Sequence, residues 1–357
     1  MEKHWEKELT EYIIQGEPDQ KEKSLIWKTA IGLQDVDKLS TSEYLLQTAK
    51  EHIEGKISIE SVQNRINAYY ETRTERKDIE NETEEADKVS VRIAKILGEK
   101  AFQFSPTELL SIHKRLFEGI FPHAGKIRDY NISKKEWILN GETVIYSSYN
   151  NIISTLDYDF KTEKSFSYEN LSIDSIIHHL VEFVSNIWQI HPFGEGNTRT
   201  TAIFLIKYLN TLGYKVGNDA FADNSWYFRN ALVRANYNDL SKGIHATKQY
   251  LILFFENLML GKKNELRNRF LHIDYKSKQI KQENVGVNVG VNVGVNLTDM
   301  EQVVLSVIQK NNRITAKDLA SQCEVSTRTI ERAIKSLKEK RRIERIGSDK
   351  TGHWVLK

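Results

Sequence analysis

The chain has a single cysteine, Cys323, in 357 residues. One thiol closes no disulfide within the chain and builds no cysteine-rich zinc site, which points to a reducing compartment. Long apolar runs are missing as well. None approaches the ~18–20 residues of a membrane span, and the amino-terminal MEKHWEKELTEY carries charge where a signal peptide needs an apolar stretch. A cytoplasmic protein with no membrane partner is expected. A net charge of one sign is also lacking: 51 Lys+Arg face 49 Asp+Glu, which excludes a chain-wide polyanion-binding excess. What remains is an ordinary globular composition, 39% apolar and 28% charged, over a length that suggests two or three domains.

Four segments are expected. Residues 1–88 have no glycine-rich loop and only one of the four prolines. Leu45, Leu46, Ala49 and Ile53, then Val62, Ile66, Tyr69 and Tyr70, recur at helical spacing and predict a small helical domain. Its last stretch, ETRTERKDIENETEEADK (71–88), is too charged for burial and reads as an exposed helix or a connector. Residues 89–275, denser in aromatic and aliphatic side chains, form the main helical domain. Within it Trp137, Ile138 and Leu139, an Asn140-Gly141 turn, then Val144, Ile145 and Tyr146 predict an inserted β-hairpin serving as a flap. Residues 276–298 contain NVGVNVGVNVGVN, whose four-residue unit is too short for a solenoid and reads as a linker. Residues 299–357 follow, with thirteen Lys/Arg against eight Asp/Glu, while the rest of the chain has 38 against 41. Helices are predicted over 299–310, Ala316–Gln322 and Ser326–Lys340, then two short strands around the Gly347–Gly352 turn.

The segment His191-Pro-Phe-Gly-Glu-Gly-Asn-Thr-Arg199 carries the chemistry. An amphipathic helix precedes it (Ile176, Ile177, Leu180, Val184, Ile187, Trp188), and a second, Thr200–Leu212, follows. The backbone N–H groups of Gly196, Asn197 and Thr198 then open the second helix and form an anion site. Arg199 adds a fork-shaped cation for phosphate, and Glu195 a hard carboxylate for the Mg²⁺ that accompanies a nucleotide. His191 is the candidate base. A P-loop over Gly119–Lys126 fails by one residue, and a metal site of His178 and His179 with His191 is not expected, since one of the adjacent pair faces the helix interior and the other solvent and no cysteine or carboxylate trio has ligand spacing. Trp226, Tyr227 and Phe228 read as core before they read as a nucleotide platform. Lys126 and Arg128 read as solvated charges at the flap base.

The loop resembles the signature of the Fic family, His-Pro-Phe-x-(Asp/Glu)-Gly-Asn-(Gly/Lys)-Arg with a second Arg three residues on. Seven fixed positions match, about one chance in a billion per window. The likeness extends over Phe104–Tyr275, including SPTELLSIHKRLFEGIFPHAGKIRDYNI and DNSWYFRNALVRANY. It implies a mainly α fold, an all-helical core with a flap, and a protein adenylyltransferase that moves AMP from ATP to a Ser, Thr or Tyr hydroxyl of a target protein. In that reading His191 deprotonates the hydroxyl and Glu195 ligates Mg²⁺. Gly194, Glu195, Gly196, Asn197, Thr198 and Arg199 bind nucleotide and phosphate, with Asn230 a weaker adenosine contact. Phe193 anchors the loop, and the flap residues Lys134, Trp137, Ile138, Val144 and Ile145 dock an extended target segment.

Two positions depart from the pattern. Thr198 stands for Gly or Lys, and Ala202 for the second Arg, which in regulated members pairs with an inhibitory glutamate in the motif (Ser/Thr)-x-x-x-Glu-(Gly/Asn). Only Ser165 to Asn170 fits that motif, and it reads as an accidental cap before a helix. The segments WKTAIGLQDVDKLS and AKEHIEGKISIESVQNRINAYY resemble the small antitoxin-type (VbhA-like) helical domain of some Fic proteins, so inhibition by the usual route is expected to be weak or replaced. The last sixty residues resemble a winged helix-turn-helix, with Thr327, Arg328 and Arg332 on a recognition helix and Arg341, Arg342 and Lys350 near phosphates of duplex DNA. The alternatives are transfer of another phosphate-bearing group, or a non-catalytic transcription regulator that senses nucleotide. A homodimer is left open.

Overall fold

A computed structural model describes residues 4–72, 78–216 and 220–275. Of the carboxy-terminal part it describes 301, 304–305, 307–308, 312, 314–322, 327–339, 342–346 and 353–356. Two units divide the chain, Met1–Lys278 and Gln279–Lys357, each with its own apolar cluster.

The described residues of the first unit form α1 (His4–Gln15), α2 (Pro18–Gly32), α3 (Glu43–Ile53), α4 (Ile59–Glu71), α5 (Asp78–Gly98), α6 (Pro106–Phe117), α7 (Ile152–Ser165), α8 (Ile173–Ile190), α9 (Asn197–Thr211), α10 (Ala220–Ala235) and α11 (Gln249–Leu260). Their starts are written locally. The hydroxyls of Ser42, Ser58, Ser105 and Ser172 accept from the N–H three residues on, and Pro18 and Pro106 occupy first-turn positions where no N–H partner is lost.

Helix α5 is shared by the two halves of this unit. It packs against α2 and α4 and also against α6 and α9, so residue 88 lies inside one continuous helix. Trp27 and Leu33 from the amino-terminal helices and Val89, Phe221 and Phe228 belong to one buried cluster. Each such side chain contributes about 1.5–3 kcal/mol. The end of α2 lies so close to α10 that a Cβ on Gly32 would stand 2.3 Å from the Ala222 carbonyl oxygen. The Ser225 hydroxyl donates to the Gly32 carbonyl at 2.7 Å, and a 3₁₀ turn, Leu33–Asp37, then leads away. Polar groups fasten α5 at its middle and at its carboxy-terminal end. Asp87, its pKa raised by burial, accepts from the Ser42 N–H and hydroxyl and from Tyr70; Lys207 donates to the carbonyls of Ile96 and Glu99.

The flap is not a β-hairpin. Trp137–Leu139 forms a 3₁₀ turn, ended by Asn140 at φ 56°, and the arms are joined by Glu136 N–H to the Glu142 carbonyl and by Lys134 N–H to Thr143 Oγ1. The cause is burial: Ile138 and Leu139 are consecutive and both fully enclosed, whereas a strand sends neighbours to opposite faces.

In the second unit α12 (Ala316–Gln322) and α13 (Thr327–Glu339) precede β1 (Ile343–Ile346) and β2 (His353–Leu356), which pair antiparallel with Ile343 opposite Leu356. Val304, Ile308, Leu319, Ile330, Leu337 and Trp354 form the core, and the Trp354 indole donates to the Ile314 carbonyl at 3.0 Å. The NVGV repeat and Lys350 lie outside the described residues. Among those described, no helix is long and apolar enough to cross a membrane.

Candidate active site

The apolar face of α8 is buried and drives that helix into the core, bringing its end, His191, to the centre of the unit. His191 adopts the left-handed conformation (φ 51°), which turns the chain sharply into Pro192. Five residues later Gly196 (φ 75°) starts α9, and a Cβ there would lie 2.4 Å from the Phe117 ring, so only glycine fits. Between them Asn197 locks the loop. Its Oδ1 accepts from the Phe193 N–H at 3.0 Å and its Nδ2 donates to the Phe193 carbonyl at 2.7 Å. Phe193 is buried and stacks on His113, with centroids 3.6 Å apart. His113 Nδ1 accepts from the Gly125 N–H at 2.8 Å, which leaves Nε2 to donate to the Glu195 carbonyl at 3.0 Å. Burial pushes the His113 pKa down to about 4, so this neutral, doubly bonded form persists.

The first turn of α9 presents N–H groups with no partner inside the helix, at the positive end of its dipole. Thr198 is committed to structure: its hydroxyl accepts from the Trp188 indole at 2.9 Å, fastening α9 to α8. Ala202 is fully buried.

His191 is enclosed. Its Nδ1 lies 3.2 Å from the Trp188 carbonyl, an acceptor that fixes the proton on Nδ1, and its Nε2 is buried with no hydrogen-bond partner. Burial first, then the positive charges of Lys134, Arg229 and Arg128, hold its pKa well below 6.5. The imidazole is therefore neutral, with the Nε2 lone pair unused. Lys134 reaches across from the flap to Glu195, Nζ to carboxylate 2.8 Å, while the Glu195 side chain faces solvent.

Arg199 is turned toward the amino-terminal helices. Its guanidinium, 2% exposed, donates to Glu85 at 2.6 Å, to Asp37 at 2.8 Å and to Gln34 at 3.1 Å, and lies 4.8 Å from the Phe117 ring centre. Sequence reasoning missed all three partners. Glu85 sits in the stretch read as solvated, and nothing in its local pattern marks it among its acidic neighbours.

Other expected residues fall into place around this centre. Ile138 and Val144 are buried, while Trp137 and Ile145 are exposed, the latter 81%. Asn230 is buried and donates to the Asn268 side chain at 2.7 Å, so a partner already occupies its amide. Tyr227 and Phe228 are core, whereas the Trp226 ring lies beneath the cations of Lys38 and Arg229. Ser165 ends α7 and Ser172, not Glu169 or Ser165, caps α8. His178 is exposed, and His179 pairs with the buried carboxylate of Glu163 at 2.6 Å. Arg128 is not a solvated charge: it is buried and donates to four carbonyls behind the loop. On α13, Thr327 and Arg332 are exposed; Arg342 is half-buried, and Arg341 and the Arg328 side chain lie outside the described residues.

Against known proteins, residues 103–209 match the Fic/DOC family, a span that holds α6 to α8, the whole loop and all but the last two residues of α9. The chain carries a Fic domain. Residues 300–350 match a family described as an HTH domain. Among solved structures, the N-terminal Fic domain of a Bartonella effector protein from Bartonella sp. AR 15-3 is 21% identical, with 50% of this chain and 82% of that chain covered and a TM-score of 0.37. A Fic family protein from Desulfovibrio desulfuricans G20 is 14% identical, covering 99% and 92%, at a TM-score of 0.45. The amino-terminal helices that hold Arg199 lie before the matched Fic span, yet they complete the surroundings of its loop.

Proposed function

We propose that the Fic domain is a protein adenylyltransferase. The observation that carries this reading is His191 Nε2, a buried and unpartnered nitrogen in its unprotonated form, beside a helix start suited to phosphate. A Ser, Thr or Tyr hydroxyl of the target attacks the α-phosphorus of ATP. Its proton passes to His191 Nε2, the bond to the departing pyrophosphate breaks, and AMP remains on the target oxygen. The anion sits against the N–H groups of Gly196, Asn197 and Thr198. Because Nε2 has no accessible surface, the flap lifts to admit the hydroxyl, and the exposed Trp137 and Ile145 dock the target segment.

Glu195 is a single exposed carboxylate held, among the described residues, by Lys134 alone, which suits Mg²⁺, an ion that keeps waters and shares phosphate oxygens. With the nucleotide it would neutralise phosphate charge. Arg199 meets phosphate only after leaving Glu85 and Asp37, so the amino-terminal helices restrain the site.

A second activity, duplex DNA binding, is favoured by the HTH match and by Thr327 and Arg332 on the exposed face of α13.

Replacing His191 by Ala is expected to lower transfer of labelled AMP by about 10²–10⁴. Equal labelling by the variant and the parent would end the adenylylation reading.

A further inference from the structure

Arg128 holds more of the site together than its place in the sequence indicates. Its backbone N–H donates to the Pro192 carbonyl at 2.9 Å. Its side chain donates through Nε to the His191 carbonyl at 2.8 Å, through Nη2 to Ile190 at 3.3 Å and to Ser147, and through Nη1 to Tyr130. All four side-chain acceptors are neutral carbonyls, and among the described residues no carboxylate pairs with this guanidinium. Its charge is balanced by the carbonyls at the negative end of α8, where a cation is favoured. The four acceptors belong to three places: Tyr130, four residues before Lys134 of the flap's first arm, Ser147 after its second arm, and the left-handed turn at His191. A left-handed non-glycine residue persists only where its surroundings over-determine it, and Arg128 supplies that constraint. The second arm has an independent tie, since the Gln189 side chain donates to the Ile145 carbonyl at 3.1 Å.

Resting on the adenylyltransferase reading for its kinetic arm alone, we propose that Arg128 is a positioning residue: it fixes the backbone of the base and the footing of the flap as one assembly, so that the acceptor hydroxyl and Nε2 meet in register.

The test is Arg128→Lys in the full chain. Lysine keeps the charge but replaces a planar five-donor fork by a point. Expected is a cooperative thermal transition, a nucleotide Kd within twofold of the parent, and kcat at least tenfold lower, since a misplacement of about 1 Å can cost 10²-fold. A folded variant with kcat within twofold of the parent overturns the proposal. The second readout needs no turnover. In protein labelled at histidine, the His191 Cα and Cβ shifts report the left-handed backbone, and they are expected to move in Arg128→Lys; unchanged shifts overturn the proposal whether or not transfer occurs. Absence of transfer in the parent with moved shifts in the variant would instead remove the adenylyltransferase reading and leave the positioning role standing. Should Arg128→Lys fail to fold, Gln189→Ala loosens the same arm from the surface. It is expected to lower kcat about three- to tenfold, following the same misplacement argument, and to move the His191 shifts; an unaltered kcat and unaltered shifts overturn the coupling.

Discussion

Replacing Glu85 by Gln is the most informative perturbation of the restrained site. Arg199 is almost wholly buried and bonded to two carboxylates, and under the proposed function a triphosphate would compete with both. Glu85 is 19% exposed and 2.6 Å away, a charge-assisted hydrogen bond in poorly solvated surroundings, which contributes about 1.5–3 kcal/mol. Asp37 is 36% exposed, so solvent screens its attraction to below about 1 kcal/mol. Glu85→Gln is therefore expected to tighten binding of a non-hydrolysable ATP analogue by about ten- to a hundredfold, and Asp37→Asn by less than about fivefold. Glutamine preserves shape and one acceptor, and Asp37 still balances the cation, so unfolding should remain cooperative. Calorimetric titration with Mg²⁺ present, alongside a thermal melt, reads both quantities. An unchanged Kd in a folded Glu85→Gln, Asp37→Asn double variant would refute the reasoning, because Arg199 would then have no part in binding phosphate. Deleting residues 1–88 is a poorer test, since the cut falls within α5 and strips a shared core.

Two further outcomes follow. His113 binds its proton far less readily in the folded state, with a pKa down to about 4 against 6.5, so the unfolded chain binds more protons between those values and stability falls as pH drops from 6.5 to 4. Melts across that window should show His113→Gln flattening a loss of roughly 3 kcal/mol; an equally steep decline in the variant would count against the buried neutral imidazole. For the second unit, a gel shift with duplex DNA should weaken steeply with salt, and Arg332→Ala should reduce it; no shift at low ionic strength would remove the DNA reading.

The helical character of the chain was legible because apolar residues recur at the α-helical period, and Ala316–Gln322 coincides with α12 to the residue. The loop was legible because Gly196 and Asn197 have local reasons to be what they are: a positive φ at the start of α9, and a side chain that closes on a backbone four residues away. The flap misled because an Asn-Gly turn between apolar triplets suits a hairpin, and only tertiary enclosure of both Ile138 and Leu139 selects the 3₁₀ turn. Glu85, Asp37 and Arg128 were illegible for a different reason. Their partners lie 114, 162 and 63 positions away along the chain, and charge density alone does not say which carboxylate or guanidinium turns inward.

The continuity of α5 has a bearing on how this protein is controlled. A free-standing antidote is made, titrated and degraded apart from its toxin, so release follows from scarcity. Here the restraining carboxylate and the domain it restrains hang from one 21-residue rod, synthesised together in every copy. Under the proposed function, release would then come from a rival ligand for a single guanidinium, and nucleotide level, rather than the abundance of a second protein, would set the state of the site.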